Sequence, residues 1–145
     1  MVKINRVYTG GGDGGESSLV DGSRRRKSDP RFSVVGACDE ANSWLGMVLA
    51  EINRVPDHED GGERTNVQRV QTVLNEALVR VQNELFDLGA ELACPPETLP
   101  EYMVLLSQGQ TDVLMAEMDA WLTSLPELTS FILPAGSPPV ACLQV

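Results

Sequence analysis

The sequence predicts an all-α fold, an antiparallel helical bundle that follows a glycine-rich N-terminal arm. Two observations predict it. Apolar residues recur every three or four positions along three long stretches, which is the spacing of one buried helix face. Polar loops containing proline or glycine separate these stretches, and no stretch shows the alternation of a half-buried strand. The 145 residues fit a single domain spanning 1–145, with the arm at 1–28 and the bundle at 29–145.

Composition narrows the class of protein further. The chain carries 11 basic and 21 acidic residues, a formal net charge of -10, which disfavours duplex nucleic acid and anionic membranes as partners. No apolar run reaches the roughly 20 residues of a membrane-spanning helix. The N-terminus has no secretory signal, so we expect a cytoplasmic location. The widely spaced Cys38, Cys94 and Cys142 predict neither a disulfide framework nor a structural zinc site.

The arm and the first helix are predicted from local residue types. Five glycines fall between positions 10 and 15, and because such a run holds no regular element cheaply, we predict an irregular arm. The first helix is expected to begin with Asp29 as its N-cap and Pro30 in its first turn, and to end before Pro56. Cys38 and Trp44 lie on its expected buried face.

The second helix is predicted from Asn66 to Ala93, with Thr65 and Gln68 as a capping box and two prolines as its stop. The third is predicted from about Thr111 to Ser124. Its expected inward face is formed by Val113, Leu114, Met118, Trp121, Leu122 and Leu125.

The C-terminal residues predict the first turn of a fourth helix and none of its later turns. Ser137 and the two following prolines resemble an N-cap and first turn, and the chain stops soon after. The charge pattern is also uneven, since nine carboxylates and no basic residue follow Arg80. Together these features suggest that the sequence is shorter than the fold it encodes, with the basic partners of those carboxylates lying in the absent part.

The glycine-rich arm has the residue types of a phosphate site. Consecutive glycines let backbone N–H groups converge on phosphate oxygens, and Ser17 and Ser18 add hydroxyl donors. Arg24 and Lys27 add positive charge, so Thr9–Lys27 could wrap a triphosphate. A Walker A motif is absent. On these residues alone, a disordered glycine-rich tail is the simpler interpretation.

Four ordered motifs resemble those of the PduO-type ATP:cob(I)alamin adenosyltransferases. The first comprises Tyr8–Gly15, Ser17–Leu19, Asp21–Arg24 and Lys27, the second Gly36–Ser43, the third Gln82–Ala93, and the fourth Leu125–Pro126 with Ser130–Pro134 and Gly136–Ser137.

The resemblance implies a five-helix bundle that assembles as a homotrimer, with ATP, Mg²⁺ and the corrinoid bound between subunits. By motif position, the ATP contacts would be Thr9, Gly10, Gly11, Gly12, Ser17, Ser18 and Lys27. Arg24 is expected to bind ATP with them. The resemblance also assigns two residues to the catalytic centre. Asp39 would pair with an arginine of the fourth helix, and Phe131 would pack against the corrin and keep the lower cobalt face free of a ligand.

The implied reaction transfers the 5′-deoxyadenosyl group of ATP to the cobalt of cob(I)alamin, with triphosphate as the leaving group. It suits a sequence without an obvious nucleophile, because the nucleophile belongs to the corrinoid. Three departures weaken the resemblance. Gly11 removes a hydroxyl that the family usually has, Glu16 puts a negative charge near the triphosphate, and the arginine-rich fourth helix and the fifth helix are absent.

Simpler interpretations stay open for single residues. His58 fits a solvent-exposed loop better than a metal site. Without the motifs, Asp39 would be part of a solvated helix face and Phe131 a core anchor, while Trp44 and Trp121 fit core or interface positions. Two alternative functions also remain: a truncated, non-catalytic form of the enzyme, and a helical interaction module without a ligand.

Overall fold

The structure is a computed structural model that describes residues 5–56 and 66–145. Its elements are two strands, β1 (Glu16–Ser18) and β2 (Arg24–Arg26), and four helices, α1 (Pro30–Asn53), α2 (Asn66–Leu92), α3 (Gln108–Leu122) and α4 (Pro138–Cys142), with a single 3₁₀ turn at Pro96–Thr98. The all-α prediction is confirmed. No helix among these residues is long and apolar enough to cross a membrane.

The arm departs from the prediction, because it is not irregular throughout. β1 and β2 pair as an antiparallel hairpin in which Glu16 lies opposite Arg26 and Ser18 opposite Arg24. The reversal between the strands contains Gly22, whose φ of 80° is a left-handed conformation that favours glycine. The glycine run lies before β1 and not within it, so it does not prevent strand pairing.

The predicted start of α1 is confirmed. The Asp29 carboxylate accepts a hydrogen bond from the Arg31 backbone N–H at 2.9 Å, and Pro30 occupies the first turn. α1 then ends at Asn53, before Pro56. The predicted Thr65 cap and His58 lie outside the described residues.

α3 begins three residues before its predicted start. Ser107 is its N-cap, and the Gln110 side chain accepts a hydrogen bond from the Ser107 backbone N–H at 3.0 Å. This capping box was missed because Gln108, Gly109 and Gln110 are polar and lie before the apolar stripe.

α1 and α2 form an antiparallel pair joined along its length. Near the start of α1, Arg31 Nη1 donates to the carbonyl of Leu92, at the end of α2, at 2.6 Å. Near the other end, Gln71 Nε2 donates to the Ile52 carbonyl at 2.8 Å. The fully buried Val48 lies in the α1 stretch between these contacts, so this pair provides most of the helical core.

The predicted inward face of α3 is largely exposed in this chain, and that prediction was wrong. Half or more of Met118, Leu122 and Leu125 is open to solvent, and Val113 and Trp121 are also exposed. Periodicity identifies an apolar face, but it does not determine whether another element covers that face. Cys38 is likewise half-buried, not buried as expected.

Candidate functional site

The glycine-rich segment forms an ordered, closed loop. Asp13 N–H donates to the Gly10 carbonyl at 3.2 Å, and Gly15 N–H donates to the Gly12 carbonyl at 3.2 Å. Lys27 N–H then donates to the Gly15 carbonyl at 2.9 Å, which joins the loop to the end of β2. The structure therefore favours a folded phosphate-type loop over a disordered tail.

Lys27 lies across this loop. A Cβ atom built on Gly12 would stand 3.1 Å from Lys27 Nζ and 3.2 Å from the Glu16 carbonyl oxygen, closer than side chains normally approach. Glycine at this position therefore allows the lysine to approach the backbone. Among the described residues Lys27 forms no ion pair.

Arg24 reaches back over the same loop. Its Nη2 donates to the Gly11 carbonyl at 2.7 Å and to the Glu16 carbonyl at 3.3 Å, and its Nη1 donates to Ser18 Oγ at 3.2 Å. The Glu16 carboxylate lies 3.9 Å from Arg24 Nε, and both side chains are about half exposed. Arg24 is thus engaged by the loop itself.

Some backbone donors of the glycine-rich loop have no acceptor among the described residues. Within the part of the chain that the structure describes, the N–H groups of Gly12 and Gly14 donate to nothing, whereas those of Asp13 and Gly15 are used in turns. Unpaired N–H groups in a glycine loop are the feature that binds phosphate oxygens. The hydroxyls of Ser17 and Ser18 lie on opposite faces of the hairpin, because successive strand residues alternate.

The hairpin is attached to the C-terminal end of α2. Val20 N–H donates to the Ala93 carbonyl at 3.0 Å, and the Thr98 hydroxyl donates to Asp21 Oδ2 at 3.3 Å. Leu19 is buried, with 6% of its surface exposed. Hydrogen bonds from the Ser23 hydroxyl and backbone N–H lower the pKa of Asp21, so its carboxylate stays charged in this turn.

Asp39 lies on the exposed side of α1, in a polar groove formed with Asn42, Ser43, Gly46 and Gln82. Asn42 Nδ2 donates to the Gln82 carbonyl and Gln82 Nε2 donates to the Asn42 carbonyl, each at 3.0 Å, so these two residues join α1 to α2 at the groove. No basic side chain among residues 5–56 and 66–145 pairs with the Asp39 carboxylate.

Phe131 lies in the connector between α3 and α4, and its side chain is fully exposed. The interpretation of Phe131 as a core anchor is therefore wrong for this chain. The structure brings residues 9–27 together in one loop. No hydrogen bond or ion pair that it describes links that loop to Asp39 or Phe131.

Sequence reasoning missed the residues that join α1 and the arm to the segment around the end of α2. Arg31 donates to the carbonyls of Leu92 and Cys94, and Thr98 donates to Asp21, 77 positions earlier in the chain. No local pattern marks either residue, since both partners are distant in sequence.

The fold and the loop define a class of protein: a helical bundle that carries an arm suited to polyphosphate. The cobalamin adenosyltransferase family model matches residues 7–145, and the chain belongs to that family. Its helices and short hairpin agree with the helical bundle of the PduO-type enzymes.

Individual relatives agree with this assignment. The corrinoid adenosyltransferase of Mycobacterium leprae is 38% identical over 148 residues, covering 99% of this chain and 69% of the relative. That of Bacillus subtilis is 35% identical over 140 residues, covering 97% and 64%. A variant of the PduO-type ATP:corrinoid adenosyltransferase of Lactobacillus reuteri, complexed with cobalamin and ATP, superimposes with a TM-score of 0.74 at 26% identity, covering 96% of this chain and 68% of that one.

Proposed function

We propose that this chain transfers the 5′-deoxyadenosyl group of ATP to the cobalt of cob(I)alamin, giving adenosylcobalamin and triphosphate. The observation that carries the proposal is the closed loop Thr9–Lys27, in which the N–H groups of Gly12 and Gly14 have no acceptor among the described residues and Lys27 lies beside Gly12. Family membership supports it, as do solved relatives complexed with cobalamin and ATP.

The loop is proposed to hold the triphosphate of ATP. The contacts are those expected from the motif: Thr9, Gly10, Gly11, Gly12, Ser17, Ser18 and Lys27. Free backbone N–H groups and an unpaired ammonium group stabilise the negative charge that grows on the departing triphosphate. The protein supplies alignment and charge stabilisation, and no nucleophilic side chain is needed.

Mg²⁺ is proposed to bind together with ATP. Among the described residues, no group of three or more His, Cys, Asp or Glu side chains could hold a metal ion. The arm instead offers hydroxyl and carbonyl oxygens, such as those of Thr9 and Ser18. That set fits an ion that keeps several waters and is held mainly by phosphate oxygens.

In the proposed reaction, an electron pair of the cob(I)alamin cobalt forms a bond to C5′ of ATP. The bond from C5′ to the triphosphate oxygen breaks, and its electron pair leaves with the triphosphate. The exposed Phe131 ring is proposed to pack against the corrin and exclude a lower cobalt ligand. Asp39 is proposed to pair with an arginine and so position the corrinoid side of the site.

The assembly and setting are also proposals. The exposed apolar residues of α3 and of the connector around Phe131 are consistent with the homotrimer that the resemblance implies. A cytoplasmic location fits an ATP-dependent reaction and three free cysteines. The arm and the helices are proposed to form one domain, because the hairpin is bonded to the end of α2.

The proposal is tested by anaerobic conversion of chemically reduced cobalamin with ATP, followed by absorbance, together with calorimetric titration of ATP. Light scattering reports the oligomeric state. Lys27→Ala should weaken ATP binding about tenfold or more, because it removes a charge-assisted contact. The matched control is Arg54→Ala, which removes one exposed positive charge that pairs only with Glu51 in the described structure. Absence of both turnover and ATP binding would contradict the proposal and favour an interaction module without a ligand.

A further inference from the structure

We propose that Arg24 is a positioning residue: it braces the glycine-rich loop and orients its backbone donors, and it does not itself contact the triphosphate. The identity of the ligand as the triphosphate of ATP rests on the function proposed above. The bracing itself is a property of the chain without any ligand.

The bracing is visible in the acceptors that Arg24 joins. A single guanidinium group donates to the carbonyl of Gly11, near the start of the glycine run, to that of Glu16, directly after it, and to the hydroxyl of Ser18 in β1. The Gly11 carbonyl is 13 residues away in sequence. Arg24 therefore ties Gly11 to Glu16 and Ser18, a connection that the two backbone turns of the loop do not make.

The bond to Gly11 also determines where the next donor points. A peptide unit is planar and trans, so its C=O and N–H groups point in opposite directions. The Gly11 carbonyl and the Gly12 N–H belong to the same unit. Because Arg24 holds that carbonyl at 2.7 Å, the Gly12 N–H is directed away from Arg24. This N–H donates to nothing within the part of the chain that the structure describes.

The charges around the loop separate the roles of Arg24 and Lys27. The Glu16 carboxylate lies 3.9 Å from Arg24 Nε and offsets its charge, and both terminal nitrogens of Arg24 already donate to the loop. Lys27 forms no ion pair among the described residues, and it lies against Gly12. Lys27 is thus the side chain available to an anion, and Arg24 the one that holds the loop.

Substitution of Arg24 by lysine distinguishes bracing of the loop from direct attraction of the triphosphate. Lysine keeps the positive charge, but its single ammonium group cannot reproduce a planar fork that reaches Gly11 and Ser18 together. If Arg24 acts through the loop, Arg24→Lys should behave like Arg24→Ala. If Arg24 attracts the triphosphate directly, Arg24→Lys should retain most of the affinity.

Two readouts on the full chain test the proposal. The first is hydrogen exchange of the Asp13 and Gly15 amides without nucleotide, because both close turns within the braced loop. The second is the KM for ATP beside the KM for cob(I)alamin. Arg24→Ala and Arg24→Lys should each speed that exchange about tenfold and raise the KM for ATP about tenfold, leaving the KM for cob(I)alamin within about twofold.

Arg25 provides the matched control, since it is the adjacent residue, carries the same charge and lies opposite Ser17 on the other face of the hairpin. Arg25→Lys and Arg25→Ala should stay within about twofold of the parent chain in both readouts. Ser18→Ala removes one acceptor of the fork and is a milder variant. It should speed the exchange by about two- to fivefold.

Two results would overturn the proposal. One is wild-type exchange and wild-type KM in Arg24→Lys. The other is weaker ATP binding in the Arg24 variants with unchanged exchange in the ligand-free loop, which would indicate direct contact. If the parent chain binds no ATP, the proposed function fails, while the exchange rates still decide whether Arg24 braces the loop.

Discussion

Gly14 and Gly15 form a natural matched pair for testing the conformation of the loop. A Cβ atom at either position would meet no heavy atom within 4 Å, so neither substitution creates a clash. Only Gly15 has a left-handed backbone, with φ at 85°. The Gly14→Ala and Gly15→Ala variants therefore differ in backbone strain, while the added methyl group is the same.

The expected magnitudes follow from that difference. A left-handed conformation costs a non-glycine residue roughly 1–2 kcal/mol. Replacing glycine where the backbone is compatible stabilises the folded form by about 0.4–1 kcal/mol, because the unfolded chain has fewer conformations. Gly14→Ala should leave the affinity for ATP unchanged or raise it. Gly15→Ala should bind ATP about 5- to 30-fold more weakly than Gly14→Ala.

Calorimetric titration of ATP into both variants measures this ratio, with thermal unfolding as a control for the remaining fold. Equal weakening in both variants would refute the reasoning. In that case the loop would require the absence of a side chain for close approach to the ligand, and the left-handed backbone at Gly15 would not be the reason for its glycine.

Three further predictions concern other parts of the chain. Phe131→Ala should leave the free energy of unfolding within ~0.5 kcal/mol, because the ring is fully exposed, and should lower the kcat of adenosyl transfer; a large loss of stability would contradict its exposure. Arg80 pairs with Glu84 on α2 and with Glu117 on α3, so Arg80→Gln should lower the free energy of unfolding by urea by about 0.5–1 kcal/mol. The losses in Arg80→Gln and Glu117→Gln should not add up in the double variant, and strictly additive losses would contradict a direct pair. Hydrogen bonds lower the pKa of Asp21 in the folded chain, so they stabilise the fold fully above the unfolded-state pKa of about 3.9, and this stabilisation is lost as the pH falls through the lower folded-state pKa. The difference in unfolding free energy between Asp21→Asn and the parent chain should therefore disappear in acid. A difference that does not change with pH would refute this prediction.

The helices were predictable because their signals are local. The cap at Asp29, the proline after it and the apolar spacing all lie within a few residues of the element that they define. The arm was harder to predict, because its hairpin has strands of only three residues, too short for alternation to show. The exposure of α3 could not be predicted, since apolar spacing does not reveal what covers a helix.

The candidate site was likewise predictable only in part. The residue types of a phosphate loop could be read from Thr9 to Lys27, and the family resemblance was confirmed. The roles of Asp39 and Phe131 remain predictions. Only the structure showed that Arg24 and Lys27 take different positions. Arg24 is bonded to the loop backbone, whereas Lys27 lies beside Gly12 and forms no ion pair with any described residue.

The helical class, the start of α1, the glycine loop and the family are readable from the amino-acid sequence, because each depends on residues that are neighbours in the chain or on ordered motifs. The contacts that hold the arm are visible only in the folded chain. Arg24 meets Gly11 across 13 positions, and Thr98 meets Asp21 across 77. The path of the folded chain selects such partners. Backbone carbonyls occur at every residue and 21 side chains carry a carboxylate, and a sequence pattern does not show which of them a distant donor will meet.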